Sequence, residues 1–134
     1  MQIKLVRTFA EEFSLSPLQD SLEKGEMDFT TFTAASTEAS TRFFIGFNLV
    51  LRIEDKNQFS VKYLAEFECD AEVTPDMLKN HAFVQVNAPA IAYPFMRAFI
   101  ATILLNAGYE PPMLPAINFQ ALFNKRKTEE QQSS

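Results

Sequence analysis

Apolar and polar residues alternate most regularly over two stretches, 41–53 and 59–73. In the first, Phe43, Ile45, Phe47, Leu49, Leu51 and Ile53 take every second position, and Arg42, Phe44, Gly46, Asn48, Val50 and Arg52 fill the other side. A period of two with one wholly apolar side predicts a strand with one buried face. In the second, Phe59, Val61, Tyr63, Ala65, Phe67, Cys69, Ala71 and Val73 point one way, and Ser60, Lys62, Leu64, Glu66, Glu68, Asp70 and Glu72 point the other. That second side is expected to be exposed and acidic, with Leu64 in its midst. A one-residue slip turns its carboxylates into the core, so the register is firmly set. The short connection Glu54-Asp55-Lys56-Asn57 makes the two runs an antiparallel hairpin. Two weaker strands precede them. Residues 3–15 alternate imperfectly and end at Pro17 and Gln19-Asp20-Ser21, and residues 27–38 are rich in Thr and Phe. Residues 16–26 connect the two, with a turn at Lys24-Gly25-Glu26.

After the strands the period changes. Thr74-Pro75-Asp76 reads as a helix start, with Thr as N-cap and Pro at the first helical position, and a short helix over 75–85 follows. Asn87-Ala88-Pro89 reads as a second start, for a helix that runs to Leu105 and stops at Asn106-Ala107-Gly108. Pro94 inside it predicts a kink or a late beginning. Residues 109–117 are an extended, Pro-rich connection. Asn118 caps a last helix whose Phe119, Leu122 and Phe123 share a face, and residues 125–134 read as a frayed polar tail.

The long helix is apolar around its whole circumference: Ile91, Tyr93, Phe95, Met96, Phe99, Ile100, Ile103, Leu104 and Leu105 leave no polar side. Such a helix is buried all round, whereas one four-stranded sheet covers only one side. A membrane span is disfavoured by Pro89, Pro94, Arg97 and the lack of basic flanks. A second copy of the chain is the better cover, with Tyr93, Met96, Phe99, Ile100, Ile103 and Leu104 as the expected oligomer interface. An overfilled monomer core remains open as the plainer reading.

Composition sharpens this picture. The 134 residues suit one domain, and 14 Phe with no Trp are more apolar rings than so small an interior readily holds. Twelve Lys and Arg against 17 Asp and Glu give a net charge of −5 with no basic block, which argues against nucleic acid or an anionic membrane as partner. A single Cys69 excludes an intrachain disulfide, and a lone His81 leaves almost no soft metal ligands. Cys69 reads as a packed thiol and His81 as an ordinary packing or surface residue. Three glycines leave no phosphate loop, so no nucleotide or other cofactor is expected. One histidine and acids spread on an open sheet offer no nucleophile–base pair, so an enzyme is not expected. Met1 to Arg7 lack the apolar core of a signal peptide, which predicts a cytosolic protein.

One segment carries a resemblance. Asn87-Ala88-Pro89, Tyr93-Pro94-Phe95-Met96-Arg97, Asn106-Ala107-Gly108 and Leu114-Pro115-Ala116-Ile117-Asn118-Phe119-Gln120-Ala121-Leu122-Phe123 are similar to the SecB export-chaperone family, specifically over 87–123. Arg7, Phe13, Leu64 and Glu66 fall at equivalent places in the strands, and residues 16–57 match in pattern only. The resemblance implies an α+β fold, a four-stranded antiparallel sheet packed on a long helix with a second C-terminal helix. It places a SecB-like domain at 1–124 and a flexible tail at 125–134, and implies a homotetramer built as a dimer of dimers.

The implied activity is that of an ATP-independent holdase, which binds unfolded or nascent polypeptides in apolar grooves and passes them to SecA. The matching groove candidates are Met113, Leu114, Phe119, Leu122 and Phe123, with Phe29 and Phe32 added from the poorly matching region. Leu64 and Glu66, with Glu12 on the first strand, match the SecA-docking face. On composition alone the carboxylates are a solvated sheet face and Phe119, Leu122 and Phe123 are core contacts. A second acidic position of the family is Ser16 here, which points toward a divergent member of the kind that protects an antitoxin in a toxin–antitoxin pair. An oligomeric α+β protein without chaperone activity is the remaining alternative.

Overall fold

A computed structural model describes residues 1–18, 27–54, 56–110 and 112–132. The turn expected at Lys24-Gly25-Glu26 lies outside them. Four strands form one antiparallel sheet: β1 (Ile3–Pro17), β2 (Met27–Ala35), β3 (Arg42–Ile53) and β4 (Asn57–Cys69), in the order β1-β4-β3-β2. The two runs of cleanest alternation are the central pair, in the register Phe43↔Phe67, Phe47↔Tyr63 and Leu51↔Phe59. Central strands must be specified on both neighbours, which is why their pattern is strict. The β3–β4 turn is tight, with Ile53 opposite Asn57 and Glu54 in the left-handed region at φ 50°.

The imperfect alternation of β1 has a structural cause. Its register shifts between Leu5 and Arg7 and again between Ala10 and Glu12. Each bulge inserts one residue, so the positions opposite the inward residues of β4 are 3, 5, 8, 10, 13 and 15. β2 ends at Ala35 rather than 38, and β4 at Cys69 rather than 73.

The helices differ more from expectation. The first, α1 (Pro75–Asn80), starts as expected, with the Thr74 hydroxyl accepting from the Met77 amide at 3.1 Å, but it ends at Asn80. A single π-helical turn, Phe83–Asn87, then runs directly into α2 (Ala88–Asn106). Asn87 is therefore helical and caps nothing with its side chain. Pro94 sits inside α2 without delaying its start. The last helix, α3 (Phe119–Gln132), starts at the Asn118 cap, whose Oδ1 accepts from the Ala121 amide at 2.9 Å, and continues through the segment read as a frayed tail.

The core lies between the inner sheet face and one side of α2. Phe43, Ile45, Phe47, Leu49, Phe59 and Phe67 meet Val84, Ala92, Met96, Ile100 and Leu104 there, each all but inaccessible. The continuous helix Phe83–Asn106 is long and apolar enough to cross a membrane by length and composition, yet its buried side is committed to this sheet. Two tyrosines tether the connection between α2 and α3. Tyr93 donates its hydroxyl to the Pro115 carbonyl at 2.7 Å, and Asn57 donates to the Tyr109 hydroxyl at 3.0 Å.

Candidate functional site

α3 packs on the π turn Phe83–Asn87 and faces β2, an edge strand of the sheet, across two clefts. Phe119 anchors it, 5% exposed, with its ring 6.2 Å from Phe47 and 5.9 Å from Tyr93. Buried Gln85 on the π turn fastens it further: its amide donates to the Leu78 carbonyl, and its Oε1 accepts from Arg126. Lys127 donates to Asn80. Two adjoining clefts remain between β2 and α3. One, of about 380 Å³, is lined by Thr31, Leu78, Lys79, Phe123 and Arg126 among others, and the other, of about 340 Å³, by Thr30, Phe119, Leu122 and Lys125. Thr31, Gln85 and Arg126 belong to both, so together they make one trough beside an edge strand.

The expected groove residues divide around this trough. Leu122 is 42% exposed in it, and half-buried Phe123 has the Lys127 ammonium 5.4 Å over its ring. Phe119 is both floor and core contact. Met113 stands free at 98% exposure, and Leu114 packs half-buried against the core. Phe29 and Phe32 do not act together. Phe29 stacks on Phe47 at 5.6 Å on the inner face, whereas Phe32 borders the larger cleft with its ring over Gly46 on the outer face, under the Lys62 ammonium at 5.5 Å. Three residues apart in a strand of period two, they must face opposite ways.

The outer face of the sheet corrects a second expectation. Leu64 and Glu66 are not exposed there; they retain 7% and 4% of their surface. Arg7 Nε meets Glu66 Oε1 at 2.9 Å, and Arg42 reaches the other oxygen at 3.8 Å while its Nε bonds Glu68 at 2.5 Å. Beside Leu64, its β1 partner Phe9 lies T-shaped to Phe44 at 6.5 Å, and Arg7 lies 4.7 Å over the Phe9 ring. A bond from the Thr41 hydroxyl first, and Arg42 second, hold the Glu68 carboxyl below its usual 4.5. Of the three expected docking residues, Glu12 alone is exposed. The alternation marked this face as polar; it could not show that arginines on β1 and β3 close over its middle.

The helix interface is corrected likewise. Tyr93, Met96, Ile100 and Leu104 are buried against the chain's own sheet, and Phe99 and Ile103 are half-buried beside them. The uncovered side carries Ile91, Phe95 and Leu105, at 41%, 46% and 63% exposure. Phe13, 50% exposed and 5.2 Å edge-on to Phe99, extends that apolar surface onto β1. A helix apolar all round gives no internal sign of which side its sheet takes, so this stripe was not separable in the sequence. Burial pushes the Cys69 thiol above its usual 9.0, in keeping with a packed side chain.

Comparison with known proteins places this architecture. Among solved structures, a SecB-like chaperone of Mycobacterium tuberculosis in complex with an antitoxin peptide superposes with a TM-score of 0.65 over 86% of this chain and 90% of its own, at 14% identity. A Streptococcus agalactiae protein of unknown function gives 0.55 over 87% and 98%, at 12%. At such identities the likeness is one of fold. Among curated proteins, the protein-export protein SecB of Anaplasma phagocytophilum is 37% identical over 71 residues, 52% of this chain and 44% of that protein. The Rickettsia africae SecB is 32% identical over 74 residues, 55% and 47% of the two lengths. The chain thus spans about half the length of the curated relatives it matches. The family model described as preprotein translocase subunit SecB matches residues 24–130, from before β2 nearly to the end of α3, and the chain belongs to the SecB family.

Proposed function

We propose that this protein is a cytoplasmic, ATP-independent holdase chaperone that binds non-native polypeptides and has no catalytic activity of its own. The observation that carries the reading is the trough between β2 and α3, where Leu122 and Phe123 line clefts beside an edge strand. An unfolded segment exposes apolar side chains, and each buried CH₂ contributes roughly 0.8 kcal/mol. An edge strand also offers main-chain hydrogen bonds that any sequence can use. Met113 and Leu114 extend the apolar surface toward the α2–α3 connection, and long clients gain from touching several such places. The exposed stripe of Ile91, Phe95 and Leu105 supports assembly with further copies, a homotetramer in the finer reading.

Delivery of clients to SecA is the finer part of the proposal. Glu66 is occupied by Arg7 and Arg42, so an acidic contact with SecA falls first to Glu12. The antitoxin reading draws only on a shared fold at 14% identity and on Ser16, and export is preferred. The test is suppression of aggregation of a chemically unfolded protein without ATP. Leu122→Asp with Phe123→Asp is expected to abolish most of the suppression while leaving the oligomer intact. Phe119 is unsuited to that test because it is a core contact. No suppression by the unaltered protein in molar excess would overturn the proposal.

A further inference from the structure

The two clefts of the trough are each apolar in part, and polar where they meet. Leu78 and Phe123 border the first, and Phe119 and Leu122 the second. Between them, buried Gln85 accepts at Oε1 from Arg126, an exposed residue of α3, and both side chains border both clefts. Gln85 is itself held in place. Its side-chain amide donates to the Leu78 carbonyl of α1, its backbone amide donates to the His81 carbonyl at 2.9 Å, and nearby Val84 and Ala88 are fully buried. The pair is thus a polar bar across an apolar trough, tied to α1 at one end and to α3 at the other. Along β2 the first cleft borders Thr31, Phe32 and Thr33, and the second Thr30 and Thr31, so the two compartments are displaced from each other along the strand.

We propose that the Gln85–Arg126 bar makes the trough select client segments by spacing: apolar side chains two positions apart, at i and i+2, enter the two clefts of one protomer, and an adjacent apolar pair does not. The inference rests on the trough being the client site and adds which segments it accepts. In an extended segment, side chains at i and i+2 leave the same side about 7 Å apart, and the residue between them points away. Of two adjacent apolar residues, only one side chain can therefore turn into the trough. A ring laid on the bar itself would cover a guanidinium and an amide without replacing their hydrogen bonds to water, which disfavours a central position. Gln85 is a positioning residue in this account, acting through Arg126.

The experiment uses the full chain and two fluorescent peptides of identical composition and charge, one with the central order Phe-Thr-Phe and the other Phe-Phe-Thr. Anisotropy titrations are expected to show the spaced peptide binding roughly tenfold more tightly, the gain of one further buried ring less the cost of ordering it. Arg126→Met and Gln85→Met are each expected to cut that preference to about twofold or less, and the double substitution to cut it no further, because either one alone removes the bar. Arg126 is exposed, so its substitution tests the bar without disturbing the buried π turn. Equal binding of the two peptides by the unaltered chain, or a preference that Arg126→Met leaves intact, overturns the inference. So does a loss of affinity by the same factor for both peptides, which would mark a pair that only holds the fold. If Leu122→Asp with Phe123→Asp removes binding in those cases, the chaperone reading stands without it. Binding of neither peptide by the unaltered chain removes both.

Discussion

The two faces of the sheet are buried by different means. On the inner face, Phe43, Phe47, Phe59 and Phe67 are covered by another element, α2, and their rings leave no polar atom to satisfy. On the outer face, among the described residues, Glu66 is met by Arg7 and Arg42, and Leu64 lies among Phe9, Phe44 and Phe32 of neighbouring strands, all side chains of the same sheet. The first is a core, stabilised by area removed from water. The second is a lattice one side chain thick, whose arginines still reach solvent, at 59% and 39% side-chain exposure. Low exposure alone does not tell the two apart; what lies above a residue does.

That contrast can be broken most sharply in the core. Phe47→Ala is expected to cost about 3–5 kcal/mol in urea unfolding, because the cavity is enclosed on all sides. Phe44→Ala, on the outer face, is expected to cost less than about half of that, since water fills the space. Equal costs would mean that the outer face is as closed as the inner. Glu66→Ala comes next, at about 1–2 kcal/mol, held down because Arg7 and Arg42 can hydrate once released. A loss as large as that of Phe47→Ala would show the carboxylate to be the keystone of the face. The smallest effect is that of pH. Glu68 has a folded-state value below its usual 4.5, so its ionised form favours the fold above the ordinary carboxylate range, and that contribution disappears as pH falls through the folded value. Glu68→Gln should be slightly less stable than the unaltered chain at neutral pH and indistinguishable from it in acid, as read by midpoints in denaturant across pH.

The same contrast explains what could be read in advance. β3 and the start of β4 were legible to within two residues, because their inner side chains are apolar and the alternation is unbroken, whereas β4 ends four residues early. β1 was blurred by its two bulges, which move inward positions from a spacing of two to three at two points. Phe29 and Phe32 were grouped through the resemblance, from the region that matches poorly, although a strand separates residues at that spacing. The π turn was invisible because Asn87-Ala88-Pro89 is also a sound helix start, and its backbone is fixed instead by packing of Val84 and Ala88 in the core. The polar composition of residues 125–132 hid a helix that is held by Arg126 and Lys127 reaching back to Gln85 and Asn80. Contacts between cations and amides so far apart in the chain leave no periodic trace.

The tethers at Tyr109 and Pro115 bracket Met113, the most outstanding apolar side chain. A thioether held out between two anchored points is presented ahead of any encounter. In the proposed holdase role, a guest that reached it would forgo most of the entropy loss that ordering a slack segment demands, and the adaptable methionine would mould to the side chain that arrives.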